Sequence, residues 1–280
     1  MGVKRHKPTT PGRRGMITTD YGELTKKEPE KSLTRSLHRK KGRSHGKIST
    51  RHKGGGSKRL YRDIDFKQDQ VGDTLTIKAL EYDPNRTAFI ALVQNQEGVK
   101  RYILAYDKAK VGDELKIAEK APIKPGNRMK IKNIPVGTLV HNIEIKPGRG
   151  GQMARSAGSY AKVMAHDEGH TQLTMPSTEV RVVSSNGFAT IGTVSHSSHR
   201  EEVVGKAGKN RRRGKRPHVR GSAMNPVDHP HGGGEGRAPV GLKYPKTPWG
   251  KNAYGVKTRK PNKYSDRYII KRRKKKKRKK

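Results

Sequence analysis

Apolar and polar residues alternate in short runs through the middle of the chain. Leu75 and Ile77 sit among Thr74, Thr76 and Lys78. Met129 and Ile131 alternate with Lys130 and Lys132, Ile143 and Ile145 with Asn142, Glu144 and Lys146, and Val180 and Val182 flank Arg181. A period of two puts the apolar members on one face of a strand and the polar members on the other. Phe89 to Val93 and Tyr102 to Ala105 are continuous apolar runs, the pattern of strands covered on both faces. Val71-Gly72-Asp73 and Val111-Gly112-Asp113 are turn signals before Leu75 and Leu115, and Asp167-Glu168-Gly169 reads as a hairpin tip between 161–165 and 170–174. Residues 60–200 are therefore predicted to be all-β. Many short strands with frequent turns make barrels or sandwiches, and roughly 140 residues hold two small barrels, with the joint at Ile123-Lys124-Pro125-Gly126-Asn127.

The pattern is lost on both sides of this body. In residues 1–59 Pro8, Pro11, Gly12 and Gly15 interrupt any element, and the stretch reads as an arm. After residue 195, Ser198-His199-Arg200-Glu201 resembles a capping box that starts a short helix through Val203 and Val204. From Gly221 to Gly241 the apolar residues (Ala223, Met224, Val227, Ala238, Val240) follow no period, while Pro226, Pro230, Pro239 and Gly232 to Gly234 punctuate the run. A segment with so little to bury is expected to take its shape from a partner.

Charge says which partner. The 280 residues carry 65 Lys and Arg against 24 Asp and Glu, a net charge of +41, and only 29% are hydrophobic. By segment, residues 1–59 hold 18 basic and 4 acidic residues, 60–200 hold 20 and 15, and 201–280 hold 27 and 5. Two strongly basic extensions thus flank a mildly basic body. Self-repulsion on this scale calls for a dense polyanion, nucleic acid first and an anionic membrane surface second. No apolar run is long enough to span a bilayer, and the basic N-terminus has no apolar stretch after it, so it does not read as a secretory signal. His6 stands where a myristoylation site needs Ser or Thr. The absence of cysteine excludes disulfides and thiolate chemistry.

Cations beside glycines are the candidate phosphate contacts, because charge neutralises phosphate while a bare backbone approaches closely. Arg51, Lys53, Lys58 and Arg59 bracket Gly54 to Gly56. Arg149 and Arg155 lie in the glycine-rich stretch 146–158, and the turn Asp83-Pro84-Asn85-Arg86 presents Arg86 beside a strand. Arg211, Arg212, Arg213, Lys215 and Arg216 form one cluster, and residues 271–280 are ten consecutive cations, expected to be ordered near Tyr268 and frayed at the end. Asp228, His229 and His231 raise a rival reading as a metal or general-base site, with His196 and His199 as further ligand candidates. Pro230 between the histidines and the lack of a periodic scaffold weigh against it, and base stacking or phosphate contact by histidine fits the polyanion setting.

MNPVDHPHGGGEG at 224–236, TPWG at 247–250 and KTRK at 257–260 resemble the C-terminal extension of the bacterial-type large-subunit ribosomal protein L-two family. KPTTPGRRG at 7–15, RHKGGG at 51–56, EYDPNR at 81–86, RYILA at 101–105, IKPGN at 123–127, NIPVGTLVHNIE at 133–144, KPGRGGQMARSAG at 146–158 and GKAG at 205–208 continue the resemblance in order. It implies a mostly β fold. A basic N-terminal extension at 1–59 precedes an OB-fold barrel at 60–125 and an SH3-like barrel at 126–200, and a basic, irregular C-terminal extension follows at 201–280. It implies a structural, non-enzymatic constituent of the large ribosomal subunit, in the cytoplasm. Such a protein is a primary rRNA binder near the peptidyl-transferase region, needed for subunit association, tRNA binding and peptide-bond formation. Arg86 and Arg155 fall where the family's barrels grip rRNA, and Asn225, Asp228, His229, His231 and Gly232 to Gly234 form the peptidyl-transferase-proximal loop. Expected partners are large-subunit rRNA, neighbouring ribosomal proteins and the small subunit through a bridge. No membrane, homo-oligomer, dedicated metal site or cofactor is expected beyond magnesium carried by the rRNA. The chain departs from the family pattern at Ser44 and His45, where two asparagines are common, at Ser57, where histidine is usual, and in its longer basic tail.

Overall fold

The computed structural model describes residues 2–236 and 238–273. Strands β1 (Val3–Arg5) and β2 (Ile17–Thr19) pair around the one-turn helix α1 (Pro11–Arg14). Strand β3 (Thr34–Ser36) is followed by the small hairpin β4 (Arg43–Ser44) and β5 (Lys47–Ile48), and then by β6 (Leu60–Arg62), which pairs with β3. The first large sheet is antiparallel and comprises β7 (Thr74–Glu81), β8 (Ile90–Gln94), β9 (Lys100–Leu104) and β10 (Glu114–Lys116), in the order β10-β7-β8-β9. The second barrel draws on β11 (Arg128–Lys130), β12 (Leu139–His141), the pair β13 (Ile143–Glu144) and β14 (Gly151–Met153), β15 (Ala161–Asp167), β16 (His170–Thr174), β17 (Val180–Ser184) and β18 (Phe188–Ile191). After helix α2 (Ala207–Arg212), the last strand β19 (Ile269–Lys271) joins the second barrel's sheet, in the order β11-β18-β12-β15-β16-β17-β19. The molecule is mostly β, an OB-fold followed by an SH3-like barrel.

The alternation read from the sequence builds much of the cores, but it is corrected at two runs: Asn142 and Glu144, expected on a polar face, are buried, and Val183 rather than Val180 or Val182 enters the second core. Leu75, Ile77, Phe89, Val93, Ile103 and Leu115 fill the first barrel, and Met129, Ile131, Val140, Ile143, Val163, Leu173 and Ile191 fill the second. The continuous run in β8 is buried on both faces: Ala91 and Val93 point into the first core, while Ile90 and Leu92 pack with Ala79 and Tyr102 against Leu33 and Ile64. A bulge makes Lys78 an extra residue, since Ile77 faces Val93 and Ala79 faces Leu92. Without that slip Leu80 would point away from the core it occupies. The barrels meet where Val194 packs with Ala88, Leu104, Phe66 and Ala157. Gly126, at φ 92°, crosses between them so closely that a Cβ would overlap Leu115 and Tyr106.

The described residues divide into two compact units, one of residues 2–38, 58–206 and 267–273, the other drawn from 39–57 and 207–266. The stretch read as an N-terminal arm is therefore split. Its first part is held to the barrels because Leu24 and Leu33 pack on them and Glu30 N donates to Tyr102 Oη at 2.7 Å. The helix expected through Val203 and Val204 is corrected. A 3-10 turn spans Ser197–Glu201 without a side-chain cap, and Val203 is extended because it exchanges backbone hydrogen bonds with Ile17 at 3.0 and 3.1 Å. At the C-terminus β19 pairs with β17. The expected fraying concerns residues 274–280, which lie outside the described residues.

Candidate nucleic-acid interface

The first unit gathers three of the expected cations. The turn 83–86 is an Asx turn: Asp83 Oδ1 accepts from Asn85 N at 2.8 Å and Oδ2 from Arg86 Nη1 at 3.3 Å, so this buried carboxylate is used up holding the turn. Arg86 also donates to Tyr61 Oη at 3.3 Å and lies 5.4 Å from the centroids of both Tyr61 and Phe66. Arg155, from the glycine-rich loop, lies 4.3 Å from the same Phe66 ring and is steadied by the Gly151 carbonyl at 3.1 Å. Gly151 N donates to Phe66 O at 2.8 Å, and a Cβ on Gly150 would crowd that carbonyl, so glycine lets the loop reach the ring. Arg59 donates to the Pro84 carbonyl. Partial burial, then the Arg86 charge, lowers the proton affinity of Arg155. Arg86 and Arg155 thus share the Phe66 ring, and Asp83 is paired with Arg86. Lys58 and Arg149 are exposed nearby in sequence, Arg149 at the tip of the β13–β14 connection.

A buried ion pair sets the base of that loop. Arg128 Nη2 donates to Glu144 Oε1 at 3.1 Å, both side chains being at most 2% exposed, and Glu144 Oε2 accepts from Phe188 N at 3.1 Å and Gly148 N at 3.3 Å.

The second unit joins two distant cation clusters. The segment 52–57 runs against 212–216. Gly54 N donates to Gly214 O and Ser57 N to Arg212 O, both at 2.8 Å, Arg216 N donates to His52 O at 3.1 Å, and Lys53 bridges Lys215. Gly56, at φ 66°, leaves no room for a Cβ against the Arg212 carbonyl and Gly214 N. The close approach expected of these glycines is thus spent on the chain's own backbone, and it brings the cations together. The result is a cleft of about 680 Å³ lined by Lys41, Arg43, Arg51, Lys53, Arg211, Arg212 and Arg216, with no Asp or Glu among its described lining residues. His52 stacks on His218 with centroids 3.3 Å apart, and burial, then the His218 and Arg51 charges, lower its pKa. Arg213 and Lys215 are exposed beside the cleft residues in sequence.

The loop expected to need a partner for its shape carries an internal framework. Asn225 O accepts from Asp228 N at 3.0 Å and His229 N at 3.3 Å, Gly233 N donates to Met224 O at 3.1 Å and Gly232 N to His229 O at 2.8 Å. The sequence reading missed this because backbone turns leave no apolar period. Gly221 and Gly232 have no space for a Cβ, being pressed on the His229 ring and the Asn225 carbonyl. His229 is buried, and its Nδ1 accepts from His231 N at 3.0 Å. His231 Nε2 accepts from Lys246 N at 2.8 Å. Backbone N–H groups are obligate donors, so these nitrogens carry lone pairs and the histidines serve as braces. Asn225, Asp228, Gly233 and Gly234 line the surface around them, Gly233 and Gly234 at positive φ. Among the described residues no three His, Asp or Glu side chains are grouped to hold a metal, and no helix is long and apolar enough to cross a membrane.

The structure thus gathers the expected cations into two groups: Arg59, Arg86 and Arg155 in one unit, Arg51, Lys53, Arg211, Arg212 and Arg216 in the other. Sequence reasoning passed over Tyr61, Phe66, Lys41 and Arg43. Aromatic residues interleaved with cations, as in Tyr61-Arg62 and Phe66-Lys67, are the signal that marks the first two.

Two small barrels with aromatic-backed guanidiniums and a cation-lined cleft define an RNA-binding protein. The family model described as Ribosomal Proteins L2, RNA binding N-terminal domain, matches residues 30–117, and that described as Ribosomal Proteins L2, C-terminal domain, matches residues 124–250. The chain belongs to the ribosomal protein L2 family, RNA-binding structural proteins of the large ribosomal subunit.

Proposed function

We propose that the chain is a primary binder of large-subunit rRNA near the peptidyl-transferase region. In this reading it is required for joining of the two subunits, for tRNA binding and for peptide-bond formation, and the rRNA performs the chemistry. The observation that carries the reading is the cleft in which Arg51 and Lys53 meet Arg211, Arg212 and Arg216, cations separated by more than 150 residues of sequence. Such convergence suits a folded backbone rather than a diffuse polyanion. Arg86 and Arg155 grip a second stretch of rRNA through phosphate contacts, with Arg59, Lys58 and Arg149 around them. Arg213 and Lys215 extend the cleft contact. The loop of Asn225, Asp228, His229, His231 and Gly232 to Gly234 lies closest to the peptidyl-transferase region. The protein acts as one copy per cytoplasmic ribosome and contributes to a bridge to the small subunit. Magnesium belongs to the rRNA.

If about 10 phosphates are neutralised, a fourfold rise in salt weakens binding by roughly five orders of magnitude. Specificity comes chiefly from rRNA shape, because A-form grooves offer side chains little readable sequence. The test is gradient fractionation of cells expressing the tagged chain, with sequencing of the bound RNA. Co-migration with large subunits and whole ribosomes at high salt is expected, with Arg86→Ala plus Arg155→Ala reducing incorporation. Recovery free, or spread over bulk RNA and DNA, would overturn the reading. His229→Gln in assembled particles tests the rival in which His229 takes part in peptidyl transfer. A defect confined to assembly or subunit joining supports the brace, and normal assembly with a large loss in the chemical step supports catalysis.

A further inference from the structure

We infer that Trp249, backed by Arg51, is a stacking platform for one unpaired nucleobase of the RNA whose phosphates enter the adjoining cleft. The inference rests on the RNA-binding reading of that cleft and adds to it a class of ligand, an unstacked base in a single strand or bulge.

Trp249 is the only tryptophan of the chain and is 74% exposed. Left in water, a large ring wastes apolar surface, and this one is held there deliberately. Thr247 N donates to Lys251 O at 2.7 Å, Gly250 N to Thr247 O at 2.9 Å and Ala253 N to Pro245 O at 2.8 Å, while Lys246 bridges Asn252. These bonds make a tight hairpin with Pro248 and Trp249 at its tip, and Gly250 at φ 76° turns the chain back. The hairpin is anchored to the histidine loop, because Lys246 N donates to His231 Nε2. The braced histidines therefore hold the base of the turn that presents the ring.

Arg51 has its guanidinium 5.0 Å from the Trp249 ring centroid and also lines the cation cleft. One face of the indole is thus backed by a cation that stiffens the ring and draws in phosphate. With three quarters of the residue still exposed, the area left for a ligand is the opposite face. That is the arrangement that binds single-stranded nucleic acid: cations track the backbone while an aromatic ring receives a base, each stacked base contributing a several-fold gain in affinity. An apolar protein surface is a poorer match, because the ring's neighbours at the tip are Pro248, Gly250 and Lys251 rather than further large apolar groups. A continuous duplex is also a poor match, because its bases are already stacked on one another.

Because there is one tryptophan, its fluorescence reports the site directly in the full-length chain. Short oligouridylate and oligoadenylate strands are expected to quench it at saturation. Polyphosphate, which has charge without bases, and a duplex of the same length are expected to bind with little quenching. Trp249→Ala is expected to weaken single-strand binding roughly 5- to 150-fold. It should leave polyphosphate affinity, and the slope of log affinity against log salt, unchanged, since no phosphate contact is removed. Trp249→Phe should recover part of the loss. Equal quenching by polyphosphate or duplex, or wild-type single-strand affinity in Trp249→Ala, would overturn the platform while leaving the cleft intact. Failure of the wild-type chain to bind either polymer would overturn the cleft and the platform together.

Discussion

The two units of this chain solve the problem of excess charge in opposite ways. The larger one has hydrophobic cores and ties its carboxylates into ion pairs: Asp65 with Arg101, Asp83 with Arg86, Glu30 with Lys26 and Lys100, Glu144 with Arg128. The smaller one, residues 39–57 and 207–266, contains 22 Lys and Arg against only Asp228, Glu235 and Asp266. Its only buried described residues are Gly214 and His229. Hydrophobic burial stabilises the first unit, whereas backbone hydrogen bonds and glycine contacts shape the second against its own repulsion. The lesson is that the second unit's shape is pre-formed but weakly held, and that an incoming polyanion supplies the missing stabilisation by mass action. Changes to the barrels should therefore appear as global, nearly salt-independent losses. Changes to the basic unit should appear as local openings relieved by anions.

The largest effect belongs to the buried pair. Glu144→Ala strands the Arg128 guanidinium in the second core and removes the acceptor of Phe188 N and Gly148 N. The expected loss is about 3–5 kcal/mol, read from urea denaturation followed by circular dichroism. Replacing both residues by methionine removes the stranded charge and should recover much of that loss. An equally unstable double variant would mean that the hydrogen bonds of Glu144, rather than the charge pair, hold the loop base.

His141 makes the stability of the second barrel depend on pH. Its ring is buried and its Nδ1 donates to Gly192 O at 3.0 Å, and burial above all lowers its pKa to about 4. The unfolded chain, with an ordinary histidine pKa near 6.5, binds the proton first as pH falls. The contribution of neutral His141 is thus complete above about pH 6.5 and is lost progressively down to pH 4, roughly 3 kcal/mol in all. His141→Asn keeps a donor toward Gly192 O, and its barrel stability should fall much less over that window. A wild-type barrel whose stability is flat between pH 7 and 4.5 would remove His141 from this role.

Gly232→Ala acts in the other unit. A Cβ there overlaps the Asn225 carbonyl, which accepts from Asp228 N and His229 N. Faster amide exchange across 224–233 is expected, by about 1–3 kcal/mol of local stability, with barrel unfolding unchanged. Loss of barrel stability as well would mean that the two units do not unfold separately.

How much of this was legible depends on which force shapes each part. Most strands of both barrels follow from alternation, because burial is written into residue type at a period of two, but β13 and β17 do not, since Glu144 is buried by its pairing with Arg128 and the inward residue of β17 is Val183. The bulge at Lys78 and the extended Val203 were not legible, since each answers to a partner far along the chain, Leu92 or Ile17. The excess of cations was legible, but not their grouping, because the pairing of 52–57 with 212–216 is made by backbone groups that every residue possesses. Tyr61 and Phe66 were missed since an aromatic beside a strand reads equally well as core.

The smallest effect belongs to a turn residue of the basic unit. His45, at φ 48°, and Gly46, at φ 72°, form the two-residue turn of the β4–β5 hairpin. Both central positions of such a turn need positive φ, which asparagine followed by glycine accepts most readily and histidine accepts less well. His45→Asn should slow amide exchange at Ser49 and Thr50, whose N–H groups donate to Gly42 O at 2.9 and 3.0 Å. The gain should be under about 0.5 kcal/mol. In a unit without an apolar core this turn preference is a visible share of the local stability, so the slowing should shrink once polyphosphate or RNA fills the cleft that Lys41, Arg43 and Ile48 line. Unaltered exchange in the free chain would mean that the hairpin is already fixed by the strands that run on from it, and that the basic unit is stiffer alone than its lack of a core implies.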